Sequence, residues 1–450
     1  MTSAGQSLLR GSAWMIGARW AMRVIGLAST IVLARLLVPE DFGVVAMALI
    51  AVGLLETIAY AGVDLALMRD GADSRDHYDT AWTIQLIQGA ILALLLVVLA
   101  PLAAAYFKEP RVTAIVQFCG LRALIGGFQN IGVVAFRKEL DFAKEFRFSL
   151  YSKLFNFAFT VAAAWWFRNY WALVFGMLTS AAVTVLVSYR MHPYRPRLSL
   201  AAVRQIWSFS QWLMISQIGS FMNQKTDAIV VGGLVGTSAM GNYHVSHEIS
   251  TMPTSELVMP MRRALFPVLA KLQTQAAEFQ GAVLNSFSVV ATLCLAMSFG
   301  LVSVAPEAVL LILGPKWTGA IPLVQWLALY GGFSSLVLVL EVPLWVRGRT
   351  RLSALRSWTE LAVLVPLVWL VTRQFGIEGA AATRAGVSAV MMLLMAYLAA
   401  RSGCVRASQL WKAVWRPFIA SGVMAALVTG APLPATWPLL AILFLKILAG

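Results

Sequence analysis

The chain has 450 residues, 60% of them hydrophobic and only 12% charged, against about 25% charged in soluble domains. The apolar residues come in uncharged blocks such as Ala90–Ala105, Ala158–Trp166, Val289–Val304 and Leu361–Val371, which excludes a soluble globular protein. The net charge of +15 is not carried on basic runs interleaved with aromatics, so nucleic acid is excluded as a partner.

Apolar blocks between polar loops predict fourteen membrane-spanning helices, since a span needs roughly 20 apolar residues. The first six fall at 13–36, 42–62, 80–106, 112–135, 148–167 and 171–190. Six more fall at 207–235, 241–268, 283–313, 320–346, 357–373 and 379–400, and two close the chain at 417–431 and 436–449. The start, Met1–Trp20, has no compact apolar region followed by a small-residue cleavage site, so it reads as part of an uncleaved first span. Cys119, Cys294 and Cys404 lie far apart in or beside apolar stretches. They form neither a disulfide framework nor a metal site and read as small core residues.

Cytoplasmic loops of membrane proteins collect Lys and Arg. With the N-terminus in the cytoplasm, twenty-two Lys and Arg fall in the N-terminal arm and the even-numbered gaps, against six on the opposite side. This imbalance explains most of the net charge and sets the expected orientation. Every loop is short, which argues against a catalytic lobe and hence against an enzyme.

An internal repeat organises the spans. Leu36 through Gly43 closes the first helix as Leu234 through Gly241 closes the seventh, an offset of 198 residues or six helices. An even number keeps both halves in one orientation, related by an axis along the membrane normal. The expected architecture is therefore all-α: a six-helix lobe at 1–197, a second at 198–402 and two additional helices at 403–450.

Charged groups inside the hydrocarbon cost several kcal/mol and normally face a cavity or a partner. Arg19 and Arg23 are i,i+4 on one face of the first helix, and through the repeat position 19 maps to Gln217, with Gln224 and Lys225 further along. Together with Lys153 these cations predict a positive cavity suited to a phosphate-bearing substrate, Arg as a bidentate donor and Lys as a point charge. Asp227, Glu248 and Glu56 are candidates for a coupling proton or cation. Arg122, Glu360, Arg384 and Lys446 lie near helix ends and read as snorkelling groups. His244 and His247 open the eighth helix and read as solvated interfacial residues. That helix carries Pro253, Pro260 and Pro267 at a spacing of seven, which places them on one side as hinge or kink points.

No phosphate-cradling loop ending in Lys-Ser/Thr, no His-Glu-x-x-His and no cysteine pair occurs in the sequence. Transport energy is therefore expected from a gradient or from downstream consumption, with no cofactor and no metal.

Several segments resemble Wzx-type polysaccharide flippases of the multidrug/oligosaccharidyl-lipid/polysaccharide exporter superfamily. They are Ala34 through Gly43 (ARLLVPEDFG), Ala61-Gly62-Val63 through Arg69-Asp70, Phe136 through Phe142 (FRKELDF), Asp227 through Gly241, Phe266-Pro267, and Leu313-Gly314-Pro315-Lys316-Trp317. The resemblance implies two six-helix lobes, alternating access, and carriage of an undecaprenyl-diphosphate-linked oligosaccharide from the cytoplasmic to the periplasmic leaflet of the bacterial inner membrane. The expected partners are that cargo, membrane lipids and the polysaccharide polymerase and export machinery, and the expected carrier is a monomer. Three alternatives stand beside it: an ion-coupled drug or metabolite exporter of the same superfamily, a lipid II-type flippase, and a membrane-bound glycan-modifying enzyme. A drug exporter would favour available acids in its cavity, whereas this sequence offers cations.

Overall fold

The computed structural model describes residues 21–59, 67, 75–139, 141–430, 442 and 446. Among them the regular structure is helical throughout. In chain order the long helices are α1 (21–36), α2 (Pro39–Ala59), α3 (Arg75–Phe107), α4 (Arg111–Gly127), α5 (Phe142–Phe167), α6 (Trp171–Met191), α7 (Val203–Leu234), α8 (Thr237–Lys271), α9 (Ala276–Ile312) and α10 (Ile321–Val346). The next run, Thr350–Arg401, is broken at Gly376, whose φ of 65° and ψ of −154° suit only glycine. It is therefore two helices, α11 (350–375) and α12 (377–401), before α13 (Ala407–Gly430). The fourteenth predicted span lies outside the described residues except for 442 and 446.

Two helix starts are fixed by a carboxylate. Asp41, in the first turn of α2, accepts a hydrogen bond from the Val38 amide at 3.2 Å, satisfying one of the orphan donors of a helix start. Its other oxygen accepts from the Tyr170 amide at 2.9 Å, just before α6. The Pro-Glu-Asp motif thus ties together the starts of two helices distant in sequence. Asp141 caps α5 by accepting from the Lys144 amide.

Many helices run past their apolar blocks, because polar ends stay helical once outside the hydrocarbon. α8 has 35 residues, or about 52 Å at 1.5 Å per residue, well beyond the roughly 30 Å hydrocarbon core. Seven segments among the described residues are long and apolar enough to cross a membrane, with Thr350–Arg401 counted once. α7 and α8 are not among them, since α7 carries Arg204, Lys225 and Asp227 among polar amides and hydroxyls, and α8 carries two histidines and several charges along its length. The span predicted at 112–135 is shorter than expected. α4 ends at Gly127, and Asn130 then turns the chain by accepting from the Gly132 amide and donating to the carbonyls of His192 and Tyr194.

The chain divides into two compact units, Met1–Met222 and Asn223–Gly450. In the first, α3 packs along α4 and α5 along α6, with α2 and α6 closing on α4. The 192–202 segment is bound to the start of α3: Asp79 accepts from the Tyr194 hydroxyl and the Arg197 amide, and the Thr83 and Thr80 hydroxyls accept from Ser199 and Ala202. In the second unit α10 is the buried centre, flanked by α8, α9 and the 350–401 run. Its Gly331 and Gly332 allow this: a Cβ on Gly332 would stand 2.6 Å from Ser298 Oγ of α9, and one on Gly331 3.0 Å from Thr254 Oγ1 of α8. All three cysteines are free and buried, as core residues should be.

Candidate functional site

Intramembrane charges are costly unless partnered, so their partners sort them. In the second unit most are paired. Asp227 of α7 and Arg384 of α12 are both almost fully buried, with Arg384 Nε 3.7 Å from Asp227 Oδ2. Tyr243 donates to the same carboxylate at 2.7 Å, and Arg384 Nη2 donates to the Tyr330 hydroxyl at 2.9 Å and the Asn223 carbonyl at 3.3 Å. The His247 ring lies tilted beside those of Tyr243 and Tyr330, at centroid separations of 6.5 and 5.8 Å. Arg384 is therefore not the snorkelling group the sequence suggested; it sits at the buried centre of a polar network joining α7, α8, α10 and α12, with the half-buried His247 beside it.

A second network holds Glu341 of α10 between Arg262 at 3.5 Å and Arg356 at 3.1 Å, and Arg356 continues to Glu360 at 2.5 Å. Glu360 is buried rather than snorkelling. Lys446 pairs with Glu307 of α9 at 2.6 Å. In the first unit Glu56 of α2 pairs with Arg122 of α4.

The predicted substrate cations behave differently. Lys153 Nζ lies 3.9 Å from where a Cβ on Gly26 would stand, so α5 delivers its ammonium to α1 one turn from Arg23. Arg23 is half-buried there; Arg19 lies outside the described residues. Lys225 is half-buried on α7, within electrostatic reach of His244 and His247. Neither Lys153 nor Lys225 makes an ion pair among the described residues. Glu248 is exposed on α8, whereas Asp227 and Glu56 each hold a guanidinium. Pro253, Pro260 and Pro267 all fall on the exposed side of α8, the common face their spacing predicts.

Sequence reasoning missed a polar cavity of about 580 Å³ wholly within the first unit. It is lined by the Glu56–Arg122 pair together with Gln88, Asn156, Ser180 and Thr184. The signal was present as lone amides and hydroxyls at intervals in apolar helices. Such residues read individually as tolerated polar positions, and only the fold brings them to one space.

Long helices in two units, with ionic and amide groups placed along apolar spans, define a polytopic membrane protein. The fold matches that of the lipid II flippase MurJ in an inward closed conformation, with a TM-score of 0.77 over 96% of both chains at 11% identity. It also matches an inward-facing multidrug resistance transporter of the MATE family, with a TM-score of 0.69 over 87% of this chain and 96% of that one at 17% identity. Residues 32–322 match the polysaccharide biosynthesis protein family, and the chain belongs to it. It is similar to the lipopolysaccharide biosynthesis protein WzxC of Escherichia coli K12, 25% identical over 73% of this chain and 68% of that protein. A second relative is the succinoglycan biosynthesis transport protein ExoT of Rhizobium meliloti, 26% identical over 74% of this chain and 67% of that protein. These likenesses bear out the flippase resemblance seen in the sequence.

Proposed function

We propose that this protein is a flippase that carries an undecaprenyl-diphosphate-linked oligosaccharide from the cytoplasmic to the periplasmic leaflet of the bacterial inner membrane, by alternating access, for surface polysaccharide synthesis. It works as a transporter and not an enzyme, with its N-terminus in the cytoplasm. The observation that carries the reading is the sorting of charges. Asp227 and Glu56 are engaged by Arg384 and Arg122, while Lys153 and Lys225 make no ion pair among the described residues. An ammonium held without a carboxylate in a low-dielectric setting favours an anionic ligand, and a diphosphate supplies that charge. A carrier of cationic drugs would need the reverse, an acid left available. In this reading the Asp227–Arg384 pair sets the packing of its unit and does not bind a coupling ion.

The test is polymer export in a strain lacking its own flippase. Arg23→Ala, Lys153→Ala and Lys225→Ala are expected to lose export while reaching the membrane at normal abundance. Full restoration of export by all three would remove the phosphate reading.

A further inference from the structure

The cavity of the first unit is not built for phosphate. Its one cation, Arg122, is already neutralised by Glu56, and its other polar lining is uncharged: the Gln85, Gln88, Gln129 and Asn156 amides and the Ser180 and Thr184 hydroxyls. Amides and hydroxyls each offer both donors and acceptors, the pattern that matches a ring bearing many hydroxyl groups. The Arg122–Glu56 pair is itself about one-third exposed, so its carboxylate and guanidinium edges face the same space. Apolar surface from Leu92 and Met177 offers the C–H face of such a ring a place to pack. A volume of about 580 Å³ falls within the range of small-molecule sites, about 300–1,000 Å³, and has room for a short saccharide.

Position supports the same assignment. Asn156 follows Lys153 by one turn of α5, and residues three apart share a helix face about 5–6 Å apart. The cation that suits a diphosphate and the amide that opens the cavity are therefore neighbours on one helix. We infer that this cavity is a saccharide subsite, which receives the first sugars of the cargo as an uncharged, hydroxyl-rich ligand while Lys153 and Arg23 hold the diphosphate. The inference rests on the flippase reading but makes its own demand: the sugar is recognised inside one unit, by residues other than the cations.

Gly126 gives a clean way to test it. It lines the cavity, and a Cβ built there meets nothing within 4 Å. Side chains added at this position fill the cavity without disturbing a helix contact. In the export assay Gly126→Leu should fall about tenfold or more at unchanged membrane abundance. Wild-type export by Gly126→Leu at normal abundance would overturn the subsite, even where Lys153→Ala abolishes export. Wild-type export by the Lys153, Arg23 and Lys225 variants would instead remove the underlying reading.

If Gly126→Leu reduces abundance, alkylation of Asn156→Cys by N-ethylmaleimide in the full-length purified protein decides the matter. The native thiols Cys119, Cys294 and Cys404 are buried and contribute little background. Maltotriose should slow the reaction, a trigalacturonate less so, and glycerol at the same concentration not at all. Equal rates with all three, or protection by trigalacturonate matching that by maltotriose, would overturn the assignment.

Discussion

The two units place charge inside apolar helices in different ways. The second unit pairs most of its intramembrane charges and buries the pairs: Asp227 with Arg384 at 2% side-chain exposure each, and Glu341 with Arg262 and Arg356. The first unit leaves its pair half open, with Arg122 at 31% and Glu56 at 40% exposure, and surrounds it with amides and hydroxyls. The same residue types thus serve opposite ends. Desolvated pairs fix helix packing in one unit, and a solvated pair lines a cavity in the other.

The difference predicts unequal costs for the same operation. Removing one partner of a buried pair strands the other charge, at a cost of about 3–5 kcal/mol. Arg384→Met should therefore lower the stability of the purified protein by that amount in thermal unfolding, more than any other single change at these charges. Asp227→Asn combined with Arg384→Met removes both charges and keeps an acceptor for Tyr243, so most of the loss should be recovered. If the double variant is as unstable as the single one, the network is held by packing and not by charge compensation.

In the first unit the parallel change should be far milder. Glu56→Gln leaves Arg122 in contact with a wet cavity, where an exposed ion pair is worth about 0–1 kcal/mol. Unfolding should shift by no more than that. A loss matching that of Arg384→Met would mean that the cavity is dry, and the contrast between the units would fail.

Much of the fold was legible from the sequence. Uncharged blocks located the described helices from α1 to α13 with ends within ten residues, because hydrocarbon tolerates few charges at any position. The break after α4 was not legible: it depends on Asn130 bonding to His192 and Tyr194, partners more than sixty residues away. The three prolines of α8 were placed on one side by arithmetic alone. Individual site charges were also legible, but not their pairing. Asp227 and Arg384 are 157 residues apart, and nothing local in either helix names the other. Arg384 near a helix end looked able to snorkel, and only the packing of α7, α8 and α10 around it turns that residue inward.

A loop carboxylate sets the zero of this comparison. Asp141 caps α5 and pairs with Lys144 at 2.9 Å, but their side chains are 32% and 53% exposed. The hydrogen bonds from the Lys144 side chain and amide hold the Asp141 carboxyl below its ordinary value. A lowered folded-state value means that the ionised carboxylate stabilises the fold. That contribution is complete above the ordinary aspartate value of about 3.9 and is lost as pH falls through the lower folded-state value. Asp141→Ala should cost about 0.5 kcal/mol at neutral pH, the low end for a helix cap. The gap in melting temperature between it and wild type should close on acidification. A gap that persists in acid would assign the effect of Asp141 to backbone conformation, and a gap as large as that of Arg384→Met would show that desolvation does not rank these charges.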